Sequence, residues 1–179
     1  VIKNDSSEEK LKQKVERMLN DWMYKLQDHR PTWDYYFMNI AETVKSRSSC
    51  MSPKKGALIV KDKQILSTGY NGTPRKVSHC TAGSCERCSL RHSGKIKSAD
   101  YTSAICICAH AEENAVVQAA NTGASTKGAT IYTTFTPCNM CARMIINAGI
   151  KEVIAKVKYP DDVGTKLLKE AGVSLRVLK

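Results

Sequence analysis

At 179 residues, 42% of them hydrophobic, the chain is long enough for one domain of ordinary size with its own core and a short appendage. No run of 18 apolar residues occurs, so no helical membrane span is expected, and Val1-Ile2-Lys3-Asn4-Asp5 carries no apolar signal-peptide core. The net charge is +11, and +10 of it lies beyond residue 31 because residues 1–31 hold seven Lys/Arg against six Asp/Glu; this favours an anionic partner, a nucleotide phosphate or a nucleic acid, with a merely solvated surface an equal reading for any individual Lys.

Residues 8–28 read as an amphipathic helix. Ser6 and Glu9 make a capping box, Leu11, Val15, Met18, Leu19, Trp22 and Leu26 an apolar stripe, and Asp28-His29-Arg30-Pro31 a stop. Helical spacing resumes over 33–47 with Trp33, Phe37, Ile40, Ala41 and Val44. Two strands, Gly56–Val60 and Gln64–Thr68, flank an Asp62-Lys63 turn. After Gly69-Tyr70-Asn71-Gly72-Thr73-Pro74 a long polar region runs to about Tyr101. Beyond it come a helix over 111–120, a strand near 129–134, a helix from Cys138 to about Gly149, a strand over 152–157, a helix over 164–171 and a strand over 173–178. That alternation predicts an α/β layered fold, about five strands with helices on both faces. There is no internal repeat, Walker A motif or GxGxxG.

Eight cysteines without a secretory signal point to metal ligation in a reducing compartment, the cytoplasm or also the nucleus, rather than to disulfides. His110-Ala111-Glu112 and Pro137-Cys138-Asn139-Met140-Cys141 together supply an imidazole and two thiols, three ligands of the kind zinc takes with a fourth position open to water. Glu112 is surplus to coordination. Two thiolates cancel the charge of the ion, so its water needs a base; Glu112 takes that proton and returns protons to a ring nitrogen and a leaving ammonia. Cys138 and Cys141, three apart, share one helix face, and both ligand groups fall at helix N-termini, which favour thiolate and carboxylate. The pattern H-x-E…P-C-x-x-C is a known signature of zinc nucleobase deaminases. A second group, Cys80-x4-Cys85-x2-Cys88 with His79 and His92, then Cys106-x-Cys108, lies in a polar stretch too long to stand without a staple. A closed zinc site, with Cys50 among its candidate ligands, is expected there; free cysteines in a mobile loop are the alternative.

From Thr32 almost to the end, the chain resembles the deoxycytidylate (dCMP) deaminases of the cytidine deaminase-like superfamily. The matching pieces are Trp33-x-x-Tyr36-Phe37-Met38, Gly56-Ala-Leu-Ile-Val60, Ser67-Thr-Gly-Tyr-Asn-Gly-Thr-Pro74, His110-Ala-Glu-Glu-Asn-Ala115, Pro137-Cys-x-x-Cys141 and Ile146-Asn-Ala-Gly-Ile150. The resemblance implies a three-layer α/β/α fold around a mixed sheet, and zinc-dependent hydrolysis of dCMP to dUMP and ammonia, feeding thymidylate synthesis. His110, Cys138 and Cys141 then hold zinc and Glu112 shuttles protons. Backbone near Ala111 and Cys138 fixes the base, Asn71 hydrogen-bonds the nucleotide, and Tyr159 is a candidate phosphate or sugar contact. Alone, Asn71-Gly72 reads as an ordinary turn.

The cysteine-rich insertion, about 75–108, resembles that of fungal, bacterial and phage members with a second zinc. Its ligands are drawn from Cys50, Cys80, Cys85, Cys88, Cys106 and Cys108; Cys50, Cys80, Cys85 and Cys106 are favoured, with Cys88 and Cys108 as alternates. Relatives are often homo-hexamers regulated by dCTP with Mg²⁺ and by dTTP, so these effectors and a homo-oligomer are expected, with no membrane or nucleic acid partner. Lys55 departs from the valine usual before the Gly-Ala strand, a matter of packing. Residues 1–31 resemble the end of a kinase-like domain of the kind fungal members carry, so they are read as its tail or, equally, as an independent helix docking on the deaminase portion 32–179 or on a partner. Two rivals are weighed. One is a deaminase of tRNA adenosine or polynucleotide cytosine, using the basic 75–97 stretch, yet two Phe and two Trp are few for stacking bases. The other is a non-catalytic zinc-binding module, against which the intact Glu112 speaks.

Overall fold

The computed structural model describes residues 7–26, 30–97, 105–158 and 162–178. It divides into two units, Val1–Thr32 and Trp33–Lys179. The first is described by one helix, α1 (Glu8–Leu26), with Glu8 and Glu9 in its first turn and Lys25 in its last, as the helix dipole favours. Met18, Leu19 and Trp22 of its stripe are exposed. The expected Ser6 cap and the Asp28-His29 stop lie outside the described residues.

In the second unit, helix α2 (Trp33–Lys45) leads to strands β1 (Gly56–Lys61) and β2 (Gln64–Tyr70). Asp62 and Lys63, at φ 51 and 62°, turn the hairpin in two residues, with the positive φ angles whose twist suits paired strands. After the insertion come α4 (Ala111–Asn121), β3 (Thr130–Phe135), α5 (Asn139–Asn147), β4 (Glu152–Val157), α6 (Val163–Glu170) and β5 (Ser174–Val177). The sheet order is β2-β1-β3-β4-β5. β1 runs antiparallel to both neighbours, while β3, β4 and β5 are parallel. The five strands expected from the alternation are therefore present, in the mixed sheet that the resemblance implies.

Period-two alternation assigns each strand residue to one of two cores. Ala57, Ile59, Ile131 and Val153 pack with Ala115, Ala119, Ala142, Ile145 and Leu168 from α4, α5 and α6. Leu58, Val60, Tyr132 and Ile154 pack with Phe37, Met38 and Ala41 of α2 on the other face. Helix α2 is also tied at its start, where Asp34 accepts from Tyr132 Oη at 3.0 Å and from Arg176 Nη1 at 2.9 Å. Among the described residues no helix is long and apolar enough to cross a membrane.

One local expectation changes. The insertion, read as a loop, contains a 3-10 turn at Cys80–Ala82 and a short helix, α3 (Glu86–His92). Seven residues, of which only Cys88 and Leu90 are apolar, are too few to display helical periodicity; Cys85 caps this helix and Cys88 lies within it, both buried.

Candidate active site

Two helix starts converge where the amino end of β1 meets the carboxyl ends of β2 and β3, because the backbone beneath them carries no side chain. A Cβ on Gly69 in β2 would stand 2.1 Å from Ala111 O, so α4 rests directly on the strand. A Cβ on Gly164 in α6 would stand 2.4 Å from Pro137 O and 2.9 Å from Cys138 C, so the turn into α5 is seated the same way. Gly72 and Ala109 exchange backbone hydrogen bonds of 3.1 and 2.9 Å just before α4 begins. Asn114 Nδ2 donates to Tyr70 O at 2.8 Å, and His110 N donates to Glu113 Oε2 at 3.1 Å. His110 and Cys138 are the N-cap residues of α4 and α5.

The consequence is a three-donor cluster. His110 Nδ1 lies 3.4 Å from Cys138 Sγ and 3.4 Å from Cys141 Sγ, and all three donor atoms lie within 4.8 Å of one another. Zinc bonds of about 2.3 Å to sulfur and about 2.0–2.1 Å to nitrogen give a tetrahedral N···S edge of roughly 3.6 Å. The donor set fits that ion. Cys138 is held down to about 3 by the hydrogen bond from Cys141 and by the His110 imidazole, and its thiolate raises His110 to about 9. Cys141 is pushed up by that neighbouring thiolate and by burial.

Glu112 is buried beside the cluster. Its Oε1 accepts from Thr133 Oγ1 at 2.7 Å, and its Oε2 lies 3.6 Å from Cys141 Sγ. Thr133, fully buried on the α4 side of β3, was not singled out from sequence, although a polar residue at a core-facing strand position is a visible signal. Lys55 was read only as a packing change. Its Nζ stands 3.2 Å from the Phe135 ring centroid, and its pKa is lowered by burial while the charges of Glu112 and Cys138 pull the other way.

Ala111, completely buried, opens α4 against Gly69. Asn71 is 6% exposed and its amide is occupied: Oδ1 accepts from Lys55 N at 2.7 Å and Ser48 Oγ at 2.8 Å, and Nδ2 donates to Pro53 O at 3.2 Å. These bonds clamp the 48–55 segment at the residue that the resemblance assigns to the nucleotide. Tyr159 lies outside the described residues. The favoured second quartet, Cys50, Cys80, Cys85 and Cys106, is not drawn together as one set. The thiols group as Cys50, Cys80, Cys88 and Cys108, and as Cys85, Cys88, Cys106 and Cys108. The alternates Cys88 and Cys108 are thus common to both.

Residues 31–157 match the family described as the cytidine and deoxycytidylate deaminase zinc-binding region. The deoxycytidylate deaminase of Saccharomyces cerevisiae is 39% identical over 148 residues, covering 82% of this chain and 45% of the yeast protein. This chain therefore spans less than half of that relative. The deoxycytidylate deaminase of Mycobacterium phage D29 is 39% identical over 136 residues, covering 74% of this chain and 98% of the phage protein. Among solved structures, the dCMP deaminase of cyanophage S-TIM5 in complex with dCMP and dUMP superposes with a TM-score of 0.67 at 29% identity, covering 84% of this chain and all of the phage chain.

The seating of α5 is open to direct test. Gly164→Ala places a methyl group against Pro137 O without touching a donor atom. Chelator competition should show zinc at His110, Cys138 and Cys141 held about 10- to 100-fold more weakly, with the circular dichroism spectrum unchanged. Unaltered affinity would mean that the turn is positioned by other contacts.

Proposed function

The chain belongs to the cytidine and deoxycytidylate deaminase zinc-binding family, and from that premise we propose that it hydrolyses dCMP to dUMP and ammonia. The observation that carries the reading is the buried Glu112 carboxylate, anchored by Thr133 at 2.7 Å, beside a donor set of His110, Cys138 and Cys141 that fits zinc. Bound there, zinc supplies the Lewis acid that brings the acidity of water into the neutral range.

Glu112 then does the proton work. Thr133 occupies Oε1, leaving Oε2 to take a proton from the attacking water. Cys141 as a thiolate has no proton to compete for that oxygen. The same oxygen returns protons to N3 of the ring and to the departing amino group, so that water and dCMP become dUMP and ammonia. Asn71 serves the substrate indirectly, by holding the 48–55 segment that carries Lys55. The net +10 beyond residue 31 suits a phosphorylated substrate. The insertion's cysteines form a separate, structural metal centre.

Glu112→Gln should keep the bound zinc and lose at least about 100-fold in kcat on dCMP. Thr133→Val should lose about tenfold or more in kcat, the worth of one hydrogen bond to a charged group, with KM and zinc content little changed. Near wild-type turnover by Glu112→Gln would remove the proton carrier from the account.

Ammonia release measured on dCMP, dCTP, cytidine and a cytosine oligonucleotide tests the substrate. A kcat/KM highest for dCMP, with KM rising in high salt, is expected. Equal values for cytidine and dCMP would show that the phosphate is not recognised, and turnover of the oligonucleotide alone would favour a polynucleotide substrate. The same assay with dCTP plus Mg²⁺ and with dTTP, alongside mass measurement in solution, tests the regulated homo-oligomer that the resemblance implies.

A further inference from the structure

Six cysteines gather away from the His110 cluster. Cys50 comes from the segment after α2, Cys80, Cys85 and Cys88 from the insertion, and Cys106 and Cys108 from the stretch that leads into His110. The Sγ atoms of Cys50, Cys80, Cys88 and Cys108 lie within 4.8 Å of one another, as do those of Cys85, Cys88, Cys106 and Cys108. One tetrahedral ion uses one quartet and leaves two thiols beside it with nothing to bind. Two quartets that share a pair describe two tetrahedra joined along an edge.

We infer that the six cysteines hold two zinc ions, with Cys88 and Cys108 bridging them, Cys50 and Cys80 completing one site, and Cys85 and Cys106 the other.

The spacings agree with thiolate coordination. A tetrahedral zinc with bonds of about 2.3 Å has S···S edges of about 3.8 Å. The Cys50–Cys88 separation is 3.7 Å, and the Cys88–Cys108 and Cys85–Cys106 separations are both 3.9 Å. Cys80 and Cys108, at 3.0 Å, form an edge that opens as an ion enters, and they stand well beyond the roughly 2.05 Å of a disulfide. An all-sulfur tetrahedral set suits zinc or an iron–sulfur cluster. An iron–sulfur cluster bridges its metals with inorganic sulfide, whereas here side-chain sulfurs already occupy the shared positions.

The charges balance as well. Two Zn²⁺ enter and six thiol protons leave, giving a centre of net charge −2 with no change of oxidation state. Arg87, only 5% exposed, adds a buried cation on α3, between Cys85 and Cys88 in the chain. Five of the six cysteines are buried, and Cys106 alone is exposed.

The placement gives this centre a task. Cys108 lies one residue before Ala109, which pairs with Gly72, and two before His110. Cys50 N donates to Ser48 Oγ at 3.2 Å, and Ser48 Oγ donates to Asn71. The bridged pair of ions therefore ties together the two segments that flank the His110 site.

This inference rests on the insertion being a metal centre at all, and a metal count separates the two claims. Elemental analysis of the full chain, purified without chelator, should give three zinc ions per chain, and two in His110→Ala. Two in the wild type would leave a single-ion second centre and overturn the bridged pair; one would overturn both. Cys88→Ser should lower the count by two and Cys106→Ser by one. Should those variants fail to fold, ¹¹³Cd-loaded wild type decides: two all-sulfur resonances with mutual scalar coupling support shared thiolates, and uncoupled resonances refute them.

Discussion

The site depends on two helix starts lying closer to the backbone beneath them than any side chain would permit. Gly69 lets α4 settle on β2, and Gly164 lets the Pro137–Cys138 turn settle on α6. Only then do His110, capping one helix, and Cys138, capping the other, bring Nδ1 and Sγ within 3.4 Å. The remainder of the sheet serves this approach. Parallel strands β3, β4 and β5, joined through α5 and α6, place those helices on the same face as α4, as right-handed crossovers require. Glu112 follows from the same geometry, because the residue two beyond His110 is turned inward onto Thr133.

Much of this was legible in the residues. Short runs such as Gly56–Val60, apolar throughout and followed by the Asp62-Lys63 turn, marked the strands, and the spacing of Ala111, Ala115 and Ala119 marked a helix with one small, buried face. His110, Glu112, Cys138 and Cys141 were named because their chemistry is specific at that spacing, and the fold brings all four together. What escaped were residues whose importance comes from tertiary placement. Thr133 looks like any strand threonine until α4 lies over it. Gly164 looks like a weak helix residue until Pro137 presses on it. Asn71 was assigned to the nucleotide by resemblance alone; what the residues could not show is that its amide also holds Ser48, Pro53 and Lys55.

The cysteine-rich insertion illustrates the opposite limit. Spacing along the chain shows which thiols are available but not which share a neighbour, so six candidates could not be sorted into ligand sets. The three-dimensional arrangement sorts them into two overlapping quartets. It also links the insertion to the site, through Cys108 and Ala109 on one side and Cys50, Ser48 and Asn71 on the other. A segment that reads as an insertion is thereby part of the frame that holds His110.

The central claim is that Glu112 delivers water to the ring of a bound deoxycytidine nucleotide. A dCMP analogue with hydrogen in place of the amino group accepts water across its C4–N3 double bond but has nothing to expel, so it stops at the hydrated ring. Titration followed by ultraviolet absorbance measures both binding and hydration. The account predicts affinity at least about 100-fold above that for dCMP, with loss of the pyrimidinone absorbance, and loss of both effects in Glu112→Gln. Binding no tighter than dCMP, with the absorbance unchanged, would contradict it.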